Sequence, residues 1–221
     1  ASNGRAVVGE YDGGALSCRD IYRFGNDPVQ VHGDLHWDVL RLFREIKNGI
    51  SEYVRLYGPD LDGIGIDTWG IDFGLFDSDG RLLGNPHHYR DRRTEGIADE
   101  IRSIVDSYEV FSATGVQIEQ ITTICQLYSL VKSRSPRLQA AESFLMMPSI
   151  FNYFLTGVMT DERSNITSTA LYDFANNAPA EAILDTLGIP IRLIPSVAEP
   201  GTILGEVAAG VREDTGIGRV P

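Results

Sequence analysis

At 221 residues, 43% of them hydrophobic, and with a formal net charge of −12, the chain can bury a full-sized core as one large domain or one and a half. The acidic balance argues against a nucleic-acid partner, since phosphate binding needs clustered Lys and Arg, and against an anionic membrane surface; a neutral small molecule suits it best. No run approaches the roughly 18 apolar residues of a spanning helix, and no basic-then-apolar leader opens the chain.

The first residues, Ala1 to Gly4, read as a small polar turn, and Ala6-Val7-Val8 as a strand. Asp12-Gly13-Gly14 is a hairpin signal, and Ala15–Phe24 resumes alternation, so the first two strands are expected to be antiparallel neighbours. Residues 25–33 are loop-like. From His36 the apolar residues Trp37, Leu40, Phe43, Ile46, Ile50 and Val54 recur at helical spacing; Asp34 is the expected cap, and Gly58-Pro59 the stop. Leu61–Asp72, L-D-G-I-G-I-D-T-W-G-I-D, then reads as a short buried strand around Ile64 and Ile66. Phe73–Phe76 is another strand, closed by the turn Asp77–Gly80, with Arg81–Leu83 returning. Residues 85–94, N-P-H-H-Y-R-D-R-R-T, are polar and aromatic without periodicity: solvated surface or the lip of a site. The neighbours His87 and His88 point to opposite sides of an extended chain, which disfavours a metal pair. Thr94–Tyr108 and Thr122–Arg134 read as helices, Phe144–Pro148 as a strand, Ile150–Leu155 and Ala180–Leu187 as helices, and Thr202–Val207 as a last strand. Cys18 and Cys125 have no metal-type spacing and read as the two thiols of a cytosolic protein.

The cluster Asp67-Thr68-Trp69-Gly70-Ile71-Asp72 follows the carboxyl end of its strand, where open α/β sheets bind ligands. Two carboxylates, an indole and a glycine can hydrogen-bond hydroxyls, cover an apolar sugar face and admit the backbone closely. The plainer reading is a turn in which both aspartates cap amides. A nuclease in which Asp67 and Asp72 hold metal is a third, opposed by the charge of −12.

The stretch Ile64–Phe73, followed by His87–Thr94, resembles the amino-terminal half of the FGGY family of carbohydrate kinases, and its T-W-G-I-D-F form resembles that family's rhamnulokinase branch. A-S-N-G-R at Ala1–Arg5, Leu145–Gly157 and S-N-I-T-S-T at Ser164–Thr169 agree along the chain. The resemblance implies an α/β fold: a ribonuclease-H-like mixed sheet flanked by helices, of the actin and hexokinase superfamily. It implies a cytoplasmic enzyme that transfers the γ-phosphoryl group of ATP, with Mg2+, to a ketose hydroxyl, most closely L-rhamnulose. Gly70 corresponds to a sugar-contacting position, with Trp69 and Asp72 beside it. Ala1, Ser2, Asn3, Gly4 and Arg5 correspond to a phosphate-facing turn whose amides could cradle oxygens. Three family features have no counterpart in these residues: a first strand ending in Asp-x-Gly, the S-H-D-T motif with the catalytic aspartate, and the nucleotide-binding second domain. Residues 1–221 are therefore expected to be the sugar-binding domain without its first strand, and inactive alone. A non-catalytic actin-like sugar sensor or scaffold is the rival reading.

Overall fold

The computed structural model describes residues 2–221. Ala1 lies outside them. Strands β1 (Asn3–Tyr11) and β2 (Leu16–Gly25) form the expected antiparallel ribbon. Asp12 makes its turn by accepting the amides of Gly14 and Ala15 at 2.9 and 2.8 Å, an Asx turn that Gly13 completes at φ +93°. A small hairpin follows, β3 (Val29–Val31) and β4 (Asp34–His36); β3 falls in the stretch read as loop and β4 at the expected start of the helix. Its strands are three residues each and carry too little alternation to register as strands.

Helix α1 (Val39–Tyr57) is the long helix anticipated from spacing. Its cap is Asp38, not Asp34: Asp38 accepts the Arg41 amide at 3.2 Å, because Asp34 is already committed to β4. Gly58 ends the helix with φ +92° and donates to the Val54 carbonyl. The strand expected at Ile64 and Ile66 is not formed. Residues 61–70 run as an unpaired segment in which the Ile64 amide reaches the Pro221 carbonyl at 3.4 Å. β-branched alternation favours an extended chain, but a strand also needs a neighbour to pair with, and none lies beside this one among the described residues.

β5 (Phe73–Phe76) is buried throughout and pairs antiparallel with β6 (Ser143–Met146). The helix expected over Thr94–Tyr108 is divided. α2 (Ile97–Ile104) ends at Val105, and Asp106 caps α3 (Ser107–Thr114) by accepting from Tyr108 and Glu109. α4 (Thr123–Lys132), α5 (Pro136–Ala140), α6 (Met147–Thr156), α7 (Arg163–Ile166), α8 (Glu181–Leu187) and α9 (Ala209–Thr215) complete the helices. Thr202–Val207 forms no strand.

The fold is α/β as expected, with the strands paired in twos. Its main core packs α2, α4 and α8 around Phe73, Phe144 and Met146, and a second apolar cluster joins α1 and α6 through Trp37, Leu42, Phe76 and Ile150. Asp72 and Trp69 sit at the seam of these two clusters, which fixes the loop before β5 from both sides.

Candidate functional site

Ile71 stands at φ +69°, a left-handed conformation that costs a β-branched residue appreciable strain. The Asp72 amide donates to the Gly70 carbonyl at 2.9 Å, closing a tight three-residue turn around it. Two side chains of α4 hold that turn: Thr123 and Gln126 donate to the Ile71 carbonyl at 2.7 and 3.2 Å. A strained turn pinned this firmly fixes the direction of the residues on either side of it.

Asp72 is fully buried and is the hub. Its Oδ2 accepts the indole N–H of Trp37 at 2.6 Å and of Trp69 at 2.9 Å, and its Oδ1 accepts from Gln126 at 2.9 Å. Burial pushes its carboxyl above the ordinary aspartate value, against the pull of those three donors and of Arg93. Gln126 in turn accepts from Arg93 at 2.6 Å, and Arg93 lies 3.5 Å from Asp91. Asp91 accepts the amides of Leu35 and Arg93 at 2.7 and 2.9 Å; burial opposes its ionisation, but those donors and the guanidinium bring it below the usual carboxylate range. The D-x-R-T segment is thus internal bracing.

Above this network the aromatic rings form a pile. Trp37 and Trp69 lie 4.3 Å apart between centroids, Trp37 stacks on His88 at 4.2 Å, and His88 on Tyr89 at 4.4 Å. Burial, then the nearby Arg90, lowers the His88 imidazole to about 4, so it stacks as a neutral ring. Trp69 is half-buried, with its nitrogen tied inward to Asp72.

Of the sequence-picked residues, Trp69 and Gly70 are half-buried, with Trp69 lining an open groove, whereas Asp72 is fully buried. A Cβ at Gly70 would lie 3.4 Å from Asn165 Oδ1 and 3.5 Å from Ser168 Oγ. Asn165, on α7, thus turns its amide oxygen toward Gly70, while its Nδ2 is buried without a hydrogen-bond partner. Residues 164–169 drew notice only as a matching segment; a lone Asn and Ser in a polar stretch carry no signal of which side chains turn inward.

The phosphate-facing turn expected at residues 1–5 is a strand from Asn3 onward. Asn3, Gly4 and Arg5 pair with Gly25, Phe24 and Arg23, so their amides alternate between edges instead of converging. Gly4 admits the Phe24 ring, which any Cβ would overlap, and Arg5 lies 3.6 Å from Asp20. Beside them an open groove of about 320 Å³ runs between β1 and residues 61–69, floored by Leu42, Ile46 and Ile50 of α1 and by Phe151. No helix among the described residues is long and apolar enough to cross a membrane.

Comparison with known proteins covers nearly the whole chain. The model of the N-terminal domain of the FGGY family of carbohydrate kinases matches residues 28–221. The rhamnulokinase of Bacteroides thetaiotaomicron is 33% identical over 221 residues, all of this chain and 45% of that protein. That of Halalkalibacterium halodurans is 34% identical over 216 residues, 98% of this chain and 46% of its own length. The chain therefore spans about half the length of these curated relatives. Among solved structures, the xylulose kinase of Lactobacillus acidophilus superposes with a TM-score of 0.87 at 16% identity, over 99% of this chain and 45% of that one, a likeness of fold.

Proposed function

Because the chain belongs to the FGGY family of carbohydrate kinases, matching its N-terminal domain, we propose that it is the sugar-binding half of an ATP-dependent kinase that phosphorylates a ketose, L-rhamnulose at its 1-hydroxyl. The observation that carries this reading is the lip at Trp69 and Gly70, held by Asp72 and faced by the Asn165 amide oxygen and the Ser168 hydroxyl. The names of the relatives that match across the whole chain supply the sugar.

In this reading the indole face of Trp69 covers the sugar's apolar C–H surface. The Asn165 amide oxygen and the Ser168 hydroxyl, whose own hydrogen goes to the Asn165 backbone carbonyl, accept from sugar hydroxyls, and Gly70 leaves the room for both. Asp72 acts through Trp69: it is a positioning residue and touches no sugar. In phosphoryl transfer positioning and charge neutralisation supply most of the catalysis, and a braced lip contributes the positioning. The family implies ATP with Mg2+ as the phosphoryl donor. Asn3–Arg5, paired as a ladder, do not fit a phosphate cradle, and no step is assigned to them. The domain reading is supported by the groove: among the described residues β1 has a ladder partner on one edge only, and β1 and residues 61–69 both line the opening. One further strand between them, such as the Asp-x-Gly strand the resemblance implies, would fill it.

The test is ADP release by the full-length protein carrying this domain, with L-rhamnulose, L-fuculose, D-xylulose and glycerol as acceptors. Preference for L-rhamnulose supports the proposal. Faster turnover of another acceptor keeps the kinase and overturns the sugar. Absence of turnover with all four favours a sensor that binds sugar without transferring phosphate. The 221 residues alone are expected to release no ADP.

A further inference from the structure

Alternate residues of a strand share a face, so Asp34 and His36 of β4 project together. An antiparallel bridge sets His87 directly across from His36, with the two imidazole centroids 4.5 Å apart. One ligand atom from each of Asp34, His36 and His87 lies within 4.8 Å of the other two. His87 Nε2 is 4.0 Å from Asp34 Oδ2, and His36 Nδ1 is 3.4 Å from the Asn85 carbonyl. That carbonyl accepts the ring's Nδ1–H and leaves Nε2 as the free ligand, the outer-shell arrangement common for metal-binding histidines.

The two backbones that bring these groups together are locked. Trp37 donates to the Pro86 carbonyl at 2.9 Å and His88 to the Leu35 carbonyl at 2.8 Å, one bond on each side of the pair. The Leu35 amide is held by Asp91 at 2.7 Å. The ligands are therefore presented by a rigid frame, while the Asp34 side chain, 62% exposed, is free to adjust. Tetrahedral coordination at bond lengths of about 2.1 Å sets ligand atoms roughly 3.4 Å apart, so the observed spacing needs only a modest contraction led by Asp34. What stands in the way is Arg137, whose Nη2 lies 3.2 Å from His87 Nε2. Arg137 is half-buried at the end of a flexible side chain and forms no ion pair in this cluster.

We propose that Asp34, His36 and His87 are a binding site for a borderline divalent cation such as Zn2+, separate from the sugar lip and closed when the Arg137 guanidinium swings aside. Two imidazoles and one carboxylate suit Zn2+, Co2+ or Ni2+ better than Mg2+ or Ca2+, which favour all-oxygen sets. A cation here joins the β3–β4 hairpin to the segment that carries His88, one residue from the ring stacked on Trp37. It therefore stiffens the wall behind the lip without entering it.

The experiment is calorimetric titration of the chain with Zn2+ alone, in a Cys18→Ser background so that the exposed thiol does not compete. One equivalent should bind, with Asp34→Asn and His36→Gln each weakening it by about tenfold or more while circular dichroism stays unchanged. Zn2+ should also raise the melting temperature of the parent and not of the two variants. Arg137→Gln, which removes the competitor, should tighten binding. Failure to bind Zn2+ up to about 1 mM, or binding indifferent to both ligand variants, overturns the site. An Arg137→Gln affinity no tighter than that of the parent overturns the displacement of Arg137.

Discussion

The Asp72 network and the β1 groove lie a few residues apart on the same loop and are built on opposite principles. Around Asp72 both carboxylate oxygens are engaged, by three side-chain donors from three parts of the chain. Around the groove the lining mixes aliphatic and aromatic side chains with a few polar ones such as Arg5, Glu45 and Asp67, and among the described residues β1 has a ladder partner on one edge only. The first region is specified by polar geometry that tolerates no missing partner. The second is specified by shape and can accept further chain. Trp69 belongs to both, since its nitrogen is tied to Asp72 and its ring lines the groove.

The largest effect should come from removing the hub. Asp72→Ala leaves two buried indole N–H groups and the Gln126 amide without their acceptor, and should cost about 3 to 5 kcal/mol; chemical denaturation measures it. A loss under about 1 kcal/mol would mean that the network does not brace the lip. A smaller effect is expected at the groove. A Cβ at Gly49 would meet the Ala6 Cβ at 2.8 Å, so Gly49→Ala should push the ribbon off α1 at a cost of about 1 to 3 kcal/mol. If Gly49→Ala costs more than Asp72→Ala, the ranking of the two regions is reversed.

A pH dependence separates a third buried carboxylate from both. Asp161 accepts the Met146 amide where β6 passes into α6, and burial pushes it up to about 7. Its folded pKa lies above the unfolded value of 3.8, so the folded chain holds a proton that the unfolded chain has released. Its contribution to stability is full below the unfolded value and is lost as pH rises through about 7. Asp161→Asn should flatten the decline in melting temperature between pH 5 and 8 that this group imposes. An unchanged slope would show that Asp161 titrates normally. The smallest stability effect is expected at Gly70: its φ is not in the left-handed range and the added methyl makes ordinary contacts. Gly70→Ala should shift stability by less than about 0.5 kcal/mol yet raise the KM for the sugar in the full-length protein, because the methyl occupies the space between Trp69 and Asn165.

Local signals in the sequence located most of the frame. Asp-Gly-Gly gave the ribbon turn, the helical spacing of Trp37 through Val54 gave α1, and the tight turn at Asp77–Gly80 followed β5 as read. What failed depended on distant partners. Ile64 and Ile66 read as a strand because periodicity reports what a segment could pair with, not whether a neighbour is there. Asp34 and Asp38 are equally good caps in isolation, and only the β3–β4 hairpin decides between them. In the site, Trp69, Gly70 and Asp72 stood out because polar, aromatic and glycine residues crowd one loop. Trp37 and Gln126 bind the same carboxylate from 35 and 54 residues away and read as ordinary residues of an amphipathic helix. His36 was invisible as a partner of His87 for the same reason.

In the proposed function the lip at Trp69 and Gly70 receives the sugar. The chain has two tryptophans, Trp37 and Trp69, and both are in that site, so their fluorescence reports on it without background. Titration with L-rhamnulose should give a saturable change that glycerol does not produce and that Trp69→Phe reduces. A response absent at saturating sugar, or one unaltered by Trp69→Phe, would show that the sugar does not bind at this lip.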